Sequence, residues 1–132
     1  MGYHEAKKMI QWLTEAFGFE EKSMHETEEG KVAHAELTYR GNMIMIGSSD
    51  SGSPFSALIK HPADIGGFET QSPYIIIDDD EIEGHYERAK QHGATIVIDL
   101  KAEDYGGKNY SCYDPEGHLW SFGSYNPWKS PQ

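Results

Sequence analysis

The chain has 132 residues, 37% hydrophobic and 12% aromatic, which suits a single domain with a modest core. Its formal net charge of −11 sets it against the phosphate backbone of nucleic acid and against anionic lipid. The one cysteine, Cys112, rules out an intrachain disulfide and predicts a reducing, cytoplasmic setting, and no stretch approaches the ~20 apolar residues of a membrane span.

The opening MGYHEAKKMI has neither a signal-peptide layout nor the usual myristoylation pattern. From about Glu5 to Phe17, Ala6, Met9, Ile10, Leu13 and Phe17 recur at helical spacing. Gly18 supplies the left-handed stop. Trp12 interrupts the apolar stripe and is expected to be partly exposed or to face a partner chain. Strand-like runs follow: FEEKSMHE, then KVAHAELTY and NMIMIGS around an Arg40-Gly41 turn. On KVAHAELTY, strict alternation puts Ala33, Ala35, Leu37 and Tyr39 on one face and His34, Glu36 and Thr38 on the other. The first set suits packing under the helix. His34 and Glu36 are then expected to look into the concave side of the sheet, where the pair can bind a polar ligand, serve acid–base work, or simply form a hydrated ion pair. Met43 and Met45 read as adaptable packing rather than a ligand surface.

Residues 50–71 are rich in Gly, Ser and Pro and read as a long linker or flap that carries His61, a weak site candidate. The strand YIIIDD comes next, and its acidic end leads into a second helix from about Glu81 to His92. Asp80 and Glu83 stand at capping-box spacing, Gly93 is the stop, and Ile82, Tyr86 and Ala89 form the expected inner face. Asp78, Asp79 and Asp80 are read as this strand end and helix cap rather than as a metal cluster. His4, His25, His85 and His92 read as surface residues. After Gly93 come ATIVIDL, KNYSCYD and HLWSFGS, the last two joined by the turn Asp114-Pro115-Glu116-Gly117. Trp120 and Phe122 are bulky enough for core, which turns Ser121 and Tyr125 outward. Lys108, Tyr110 and Cys112 share one face of the preceding strand and Asn109, Ser111 and Tyr113 the other; a bulge at Gly117 decides which set joins Ser121. Cys112 reads as a small core residue, not a nucleophile.

The two halves repeat. Gly18 and Gly93 lie 75 residues apart; Gly41 and Gly117, and also Gly47 and Gly123, lie 76 apart. Each unit reads strand, helix, three strands, so the expected fold is α+β: two βαβββ units with mixed sheets, over residues 1–49 and 72–126. The second unit opens with Tyr74 to Asp78, whose counterpart falls near positions −1 to 3. The first unit is therefore expected to lack most of its opening strand, through a late start or because a second chain completes the edge. A homodimer is expected on that ground.

The phrases AFGFEEK, VAHAEL, MIMIGS, HYERAKQHGA and DPEGHLWSFGSY resemble the vicinal oxygen chelate superfamily of glyoxalase I, bleomycin-resistance proteins and extradiol dioxygenases. The resemblance implies a glyoxalase/bleomycin-resistance/dioxygenase-like fold whose sheets curl into a cleft for a small molecule. It also implies a divalent metal in the catalytic members, held on the opening and closing strands. Those positions fall here at Tyr74, at Ile46 or Gly47, and at Ser121, none of them a His or carboxylate, so no metal cofactor is expected there. The expected function is binding or sequestration of a small organic molecule, a drug or toxin, with a cationic one favoured by charge. The expected ligand-binding residues are His34, Glu36, Tyr74, Lys108, Tyr110, Ser121 and Tyr125. One alternative is a lyase, isomerase or dioxygenase with a divalent metal on relocated ligands such as His34 and Glu36. Another is a degenerate dimerisation module.

Overall fold

The computed structural model describes residues 1–129 and divides the chain into two units, Met1–Phe68 and Glu69 onward. In the first, β1 (Gly2–Tyr3) leads into α1 (Ala6–Phe17), then β2 (Glu20–Glu26), β3 (Val32–Tyr39) and β4 (Asn42–Ser48). In the second, β5 (Tyr74–Ile76) leads into α2 (Ile82–Gln91), then β6 (Thr95–Ala102), β7 (Lys108–Tyr113) and β8 (Leu119–Gly123). The sheets have the same plan, β1-β4-β3-β2 and β5-β8-β7-β6, with one parallel pair in each. Among the described residues no helix is long and apolar enough to cross a membrane.

The opening strand of the first unit is shortened rather than absent. Gly2 and Tyr3 pair with Gly47 and Ser48, and the Met1 ammonium donates to the Met45 carbonyl at 2.7 Å. Tyr3 is fully buried and anchors this short strand. The segment expected to link the units belongs to the first of them as far as Phe68 and carries two 3-10 turns, Ser56–Leu58 and Pro62–Ile65.

α1 buries the expected stripe of Ala6, Met9, Ile10, Leu13 and Phe17, together with Ala16. Gly18 ends it at φ 83°, where its N–H reaches the Thr14 carbonyl. Trp12 is half-buried and packs its ring edge-on against Phe17 at 4.9 Å. α2 departs from expectation in two ways. Its buried face is Ile82, His85 and Ala89, so His85 is core and not surface. The imidazole is accommodated because its Nδ1 lies 2.7 Å from the Tyr110 hydroxyl and its ring packs on Phe122 at 4.5 Å. Tyr86 stands at the flank, donating to Asp99 at 2.9 Å. The Asp80–Glu83 capping box does not form, because Glu81 is the cap and Glu83 is drawn 2.6 Å from the Lys108 ammonium.

The second core is layered aromatic packing: Trp120 stacks on Phe122, and Phe122 on Tyr110, at 6.0 and 5.5 Å. Cys112 lies beside them, fully buried. Burial pushes its thiol up to about 12 from an ordinary 9.0, with Asp114 adding to the rise. The folded state thus favours the neutral thiol. Stability is unaffected below about pH 9, where both states hold the proton, and falls between about 9 and 12 as only the unfolded chain ionises. A disulfide reagent at pH 8 is expected to leave Cys112 unmodified until the protein is denatured; rapid native labelling would contradict this burial.

Candidate functional site

The first sheet turns one face to α1 and leaves the other open. Along β3 the alternation predicted from sequence breaks once. Val32 pairs with Glu26 and His34 with His25, so Ala33 is an extra residue, a bulge. Val32 and Ala35 are both buried, while Ala33, expected on the helix-packed face, is exposed beside His34. The Val32 N–H freed from the ladder finds the Ser48 hydroxyl at 2.9 Å.

This bulge shapes one wall of an open-sided pocket of about 280 Å³. Its floor is Ala33, His34, Met45, Ile46 and Gly47, and its far wall is the segment from Ser49 to Ile59. Phe55 and Ile59 supply apolar surface, and a serine ladder supplies hydroxyls: Ser51 Oγ lies 3.3 Å from Ser53 Oγ, and Ser56 Oγ donates to the Ser53 carbonyl at 2.7 Å. A mostly apolar hollow with a few convergent polar groups is the usual form of a small-molecule site. Met45 is therefore a lining residue, 48% exposed, and Met43 is 51% exposed, where both were expected to be packing.

His34 and Glu36 both stand on the open face, half-exposed, with His34 Nε2 3.2 Å from Glu36 Oε2. The hydrogen bond from His34 holds the Glu36 carboxyl below its ordinary value; burial opposes it, and Ser23 and His25 add smaller lowering effects. Glu36 thus offers a fixed negative charge beside the pocket. Its half-exposed position keeps that effect screened by solvent.

A second hollow, about 400 Å³ and more polar, is lined by His4, Asp50, Lys60, His61 and Asp64. His61, kept above as a weak candidate, is buried and holds the loop: its Nδ1 accepts from Ala63 N at 3.1 Å, and its ring stacks on His4 at 3.7 Å.

In the second unit the β7–β8 register runs without a bulge, Ser111 opposite Ser121 and Asn109 opposite Gly123. Gly117, at φ 90°, serves the turn alone. The face assignment follows, and it corrects two expected ligand residues. Tyr110 is buried against His85, and Lys108 reaches Glu83 on α2, so neither shares the open face. Asn109, Ser111 and Tyr113 are paired with the residues of the open face instead. There the Ser111 and Ser121 hydroxyls meet at 2.7 Å, the Tyr74 hydroxyl donates to the Tyr125 carbonyl at 2.9 Å, and Tyr105 packs edge-on against Tyr125 at 5.1 Å. The close approach of Tyr74 requires Gly123, since a Cβ there would lie 2.5 Å from the Tyr74 hydroxyl. Partial burial, with Tyr105 nearby, raises the Tyr74 phenol above its ordinary value.

The positions aligned with the family's metal ligands do not fit a divalent ion. Tyr74 and Ser121 are neighbours in the β5–β8 pairing, but the Tyr74 hydroxyl already donates to the Tyr125 carbonyl and the Ser121 hydroxyl is bonded to that of Ser111. Ile46 and Gly47 have no donor side chain. Asp78, Asp80 and Glu81 do gather their carboxylates within 4.8 Å, as exposed and half-exposed groups where the Glu81 N–H meets the Asp78 carbonyl at the head of α2.

The residues of the pocket wall from Ser49 to Ile59 were not singled out by sequence reasoning, because their Gly/Ser/Pro content reads only as a linker or flap. His25 was missed as well. Its only signal is register: it stands directly opposite His34, with ring centroids 6.3 Å apart.

Comparison with known proteins is consistent with this architecture. A family model described as the Glyoxalase/Bleomycin resistance protein/Dioxygenase superfamily matches residues 3–122. Uncharacterized proteins of Mycobacterium bovis and Mycobacterium tuberculosis are 27% identical over 119 residues, covering 90% of this chain and 76% and 68% of theirs. Among solved structures, TioX from Micromonospora sp. ML1 is similar at TM-score 0.68 and 25% identity, over 93% of this chain and 92% of that one. A mutant of the fosfomycin resistance protein FosX from Listeria monocytogenes, complexed with Mn(II) and 1S,2S-dihydroxypropylphosphonic acid, shares the fold at TM-score 0.66 and 16% identity, over 96% and 86% of the two chains.

Proposed function

The chain belongs to the glyoxalase/bleomycin resistance protein/dioxygenase superfamily, and from that premise we propose that it binds and sequesters a small organic molecule on the open face of its first sheet. The observation that carries this reading is the pocket of about 280 Å³, walled by Met45, Ile46, Phe55 and Ile59 and edged by His34 and the serines. Such a lining suits a compact molecule with an apolar body and one polar end. Ionised Glu36 and the net charge of −11 favour a cationic end, in keeping with electrostatic attraction of ligand to an acidic surface. The mismatch at Tyr74 and Ser121 favours binding over metal-dependent turnover by the family's usual route. Drug or toxin sequestration in a reducing cytoplasm is the role we assign. The test is a calorimetric titration of a ligand found by thermal-shift screening. His34→Ala is expected to weaken its binding about tenfold, the loss of one good hydrogen bond, while leaving the melting temperature near wild type. Unfolding of the variant with no change in affinity per folded molecule would make His34 structural.

We further propose a homodimer. β1 covers only the Gly47–Ser48 end of β4, so along Asn42 to Ile44 the side of β4 opposite β3 has no paired strand among the described residues, and half-exposed Met43 and Met45 stand beside it. Exposed edges of this kind are normally covered. Sedimentation at micromolar concentration is expected to show a dimer, and Met43→Lys to shift it toward monomer. A wild-type monomer throughout would refute the assembly.

A further inference from the structure

On the open face of the first sheet the register sets a second imidazole, His25, beside the His34–Glu36 pair of β3. His34 and Glu36 are two residues apart on β3, and His25 on β2 is the direct partner of His34. All three are exposed or half-exposed. We propose that His25, His34 and Glu36 form a binding site for a divalent transition-metal ion such as Zn2+, distinct from the positions aligned with the family's metal ligands.

Two of the three donors already stand at the spacing such an ion needs, and the third reaches it by rotation. Two donors bound to one metal at about 2.0–2.1 Å, in tetrahedral or octahedral arrangement, are separated by about 2.9–3.4 Å. His34 Nε2 and Glu36 Oε2 already stand 3.2 Å apart, so an ion can replace the shared proton without moving either side chain far. Directly opposed residues of an antiparallel pair have Cβ atoms about 4.5–5.5 Å apart, within the span of two imidazoles on one ion. The His25 and His34 rings are now nearly parallel, at 19° and 6.3 Å, so His25 must turn about its side-chain torsions to converge. Its exposure on the outer strand β2 allows that rotation.

The chemistry selects the ion. Two imidazoles and one carboxylate suit zinc, nickel, copper or iron rather than calcium or magnesium, which prefer all-oxygen shells. The neighbouring carboxylate of Glu26 is held by Lys7 at 2.8 Å, which leaves Glu36 as the acidic donor. With three protein ligands, a coordination position stays open to water or to a bound molecule. His34 also lines the organic pocket, but His25 and Glu36 do not, so the metal site does not depend on that pocket having a ligand.

The test is a Zn2+ titration of chelator-stripped protein in competition with a chromophoric chelator. One ion is expected to bind saturably. His25→Ala, His34→Ala and Glu36→Gln are each expected to weaken it by at least about tenfold, since even outer-shell losses at metal sites cost ~10–100-fold. His92→Ala, on a different element, is expected to change nothing. Imidazole nitrogen NMR is expected to show Zn2+-dependent shifts at His25 and His34, and circular dichroism keeps loss of fold apart from loss of binding. Zinc affinity unchanged in the His25→Ala and His34→Ala variants would overturn the site, and so would the absence of saturable binding. Because His25→Ala leaves the pocket intact, organic-ligand binding that survives in this variant separates a failed metal site from a failed pocket.

Discussion

Asp114→Ala is expected to destabilise the protein by about 3–5 kcal/mol, a large share of a typical domain's 5–15 kcal/mol. The carboxylate is buried and supports the turn between β7 and β8 beside the backbone bonds from Asp114 N–H to the His118 carbonyl and from Gly117 N–H to the Asp114 carbonyl. One oxygen accepts from the Glu116 and His118 backbone N–H groups at 3.0 and 3.1 Å, and the other from Trp120 Nε1 at 3.0 Å. Bonds to a charged acceptor contribute about 1.5–3 kcal/mol each. Truncation also strands the indole N–H of Trp120, the largest fully buried side chain, in a core that cannot hydrate it. Asp114→Asn keeps an oxygen for the turn and presents an amide to the indole, so about half the loss is expected. Urea denaturation reads both. A midpoint for Asp114→Ala within error of wild type would mean that the turn and the indole do not depend on this side chain.

Ala33→Trp is expected to abolish binding in the first-sheet pocket, with an affinity loss of at least about 100-fold, while stability changes by less than about 0.5 kcal/mol. The bulge is the reason. Strict alternation would put residue 33 beneath α1, where an indole would overpack the core and cost about 1–3 kcal/mol or more. The observed register turns Ala33 outward into a hollow of about 280 Å³, much of which a tryptophan side chain would occupy. Stability and affinity therefore move independently. A strongly destabilised Ala33→Trp protein would restore the simple alternation, and full affinity in a stable one would move the ligand elsewhere.

Much of the fold is legible in the chain because glycine marks it. Gly18 and Gly93 follow the two helices, and Gly41 and Gly117 turn the two hairpins, all at positive φ, a conformation that costs glycine little. Their regular spacing carries the duplication, and the helical stripe of α1 carries its buried face. The site is less legible because it depends on register. One extra residue at Ala33 reverses the face of part of β3, and the lack of one at Gly117 puts Tyr110 and Lys108 on the helix side. Neither event leaves a mark in local composition. His85 and Tyr86 show the same limit on a helix: both fit the inner stripe, and the Tyr110 hydroxyl that satisfies His85 is distant in sequence. Only the duplication pointed to the short β1, as the remnant of a strand near positions −1 to 3, because two residues carry no periodicity of their own, although Tyr3 is among the most buried side chains.

The central claim is that the open face of the first sheet, with the segment from Ser49 to Ile59, binds a small organic molecule. Chemical-shift mapping of backbone amides tests it most directly, using a panel of small aromatic compounds, cationic and neutral, at wild-type and Ala33→Trp protein. The account predicts that bound compounds shift Ala33, His34, Met45, Gly47 and the amides of Ser51 to Ile59, that cationic members bind more tightly, and that these shifts vanish in Ala33→Trp. Shifts confined to the Tyr74, Ser121 and Tyr125 face, or no saturable shift with any compound, would contradict it.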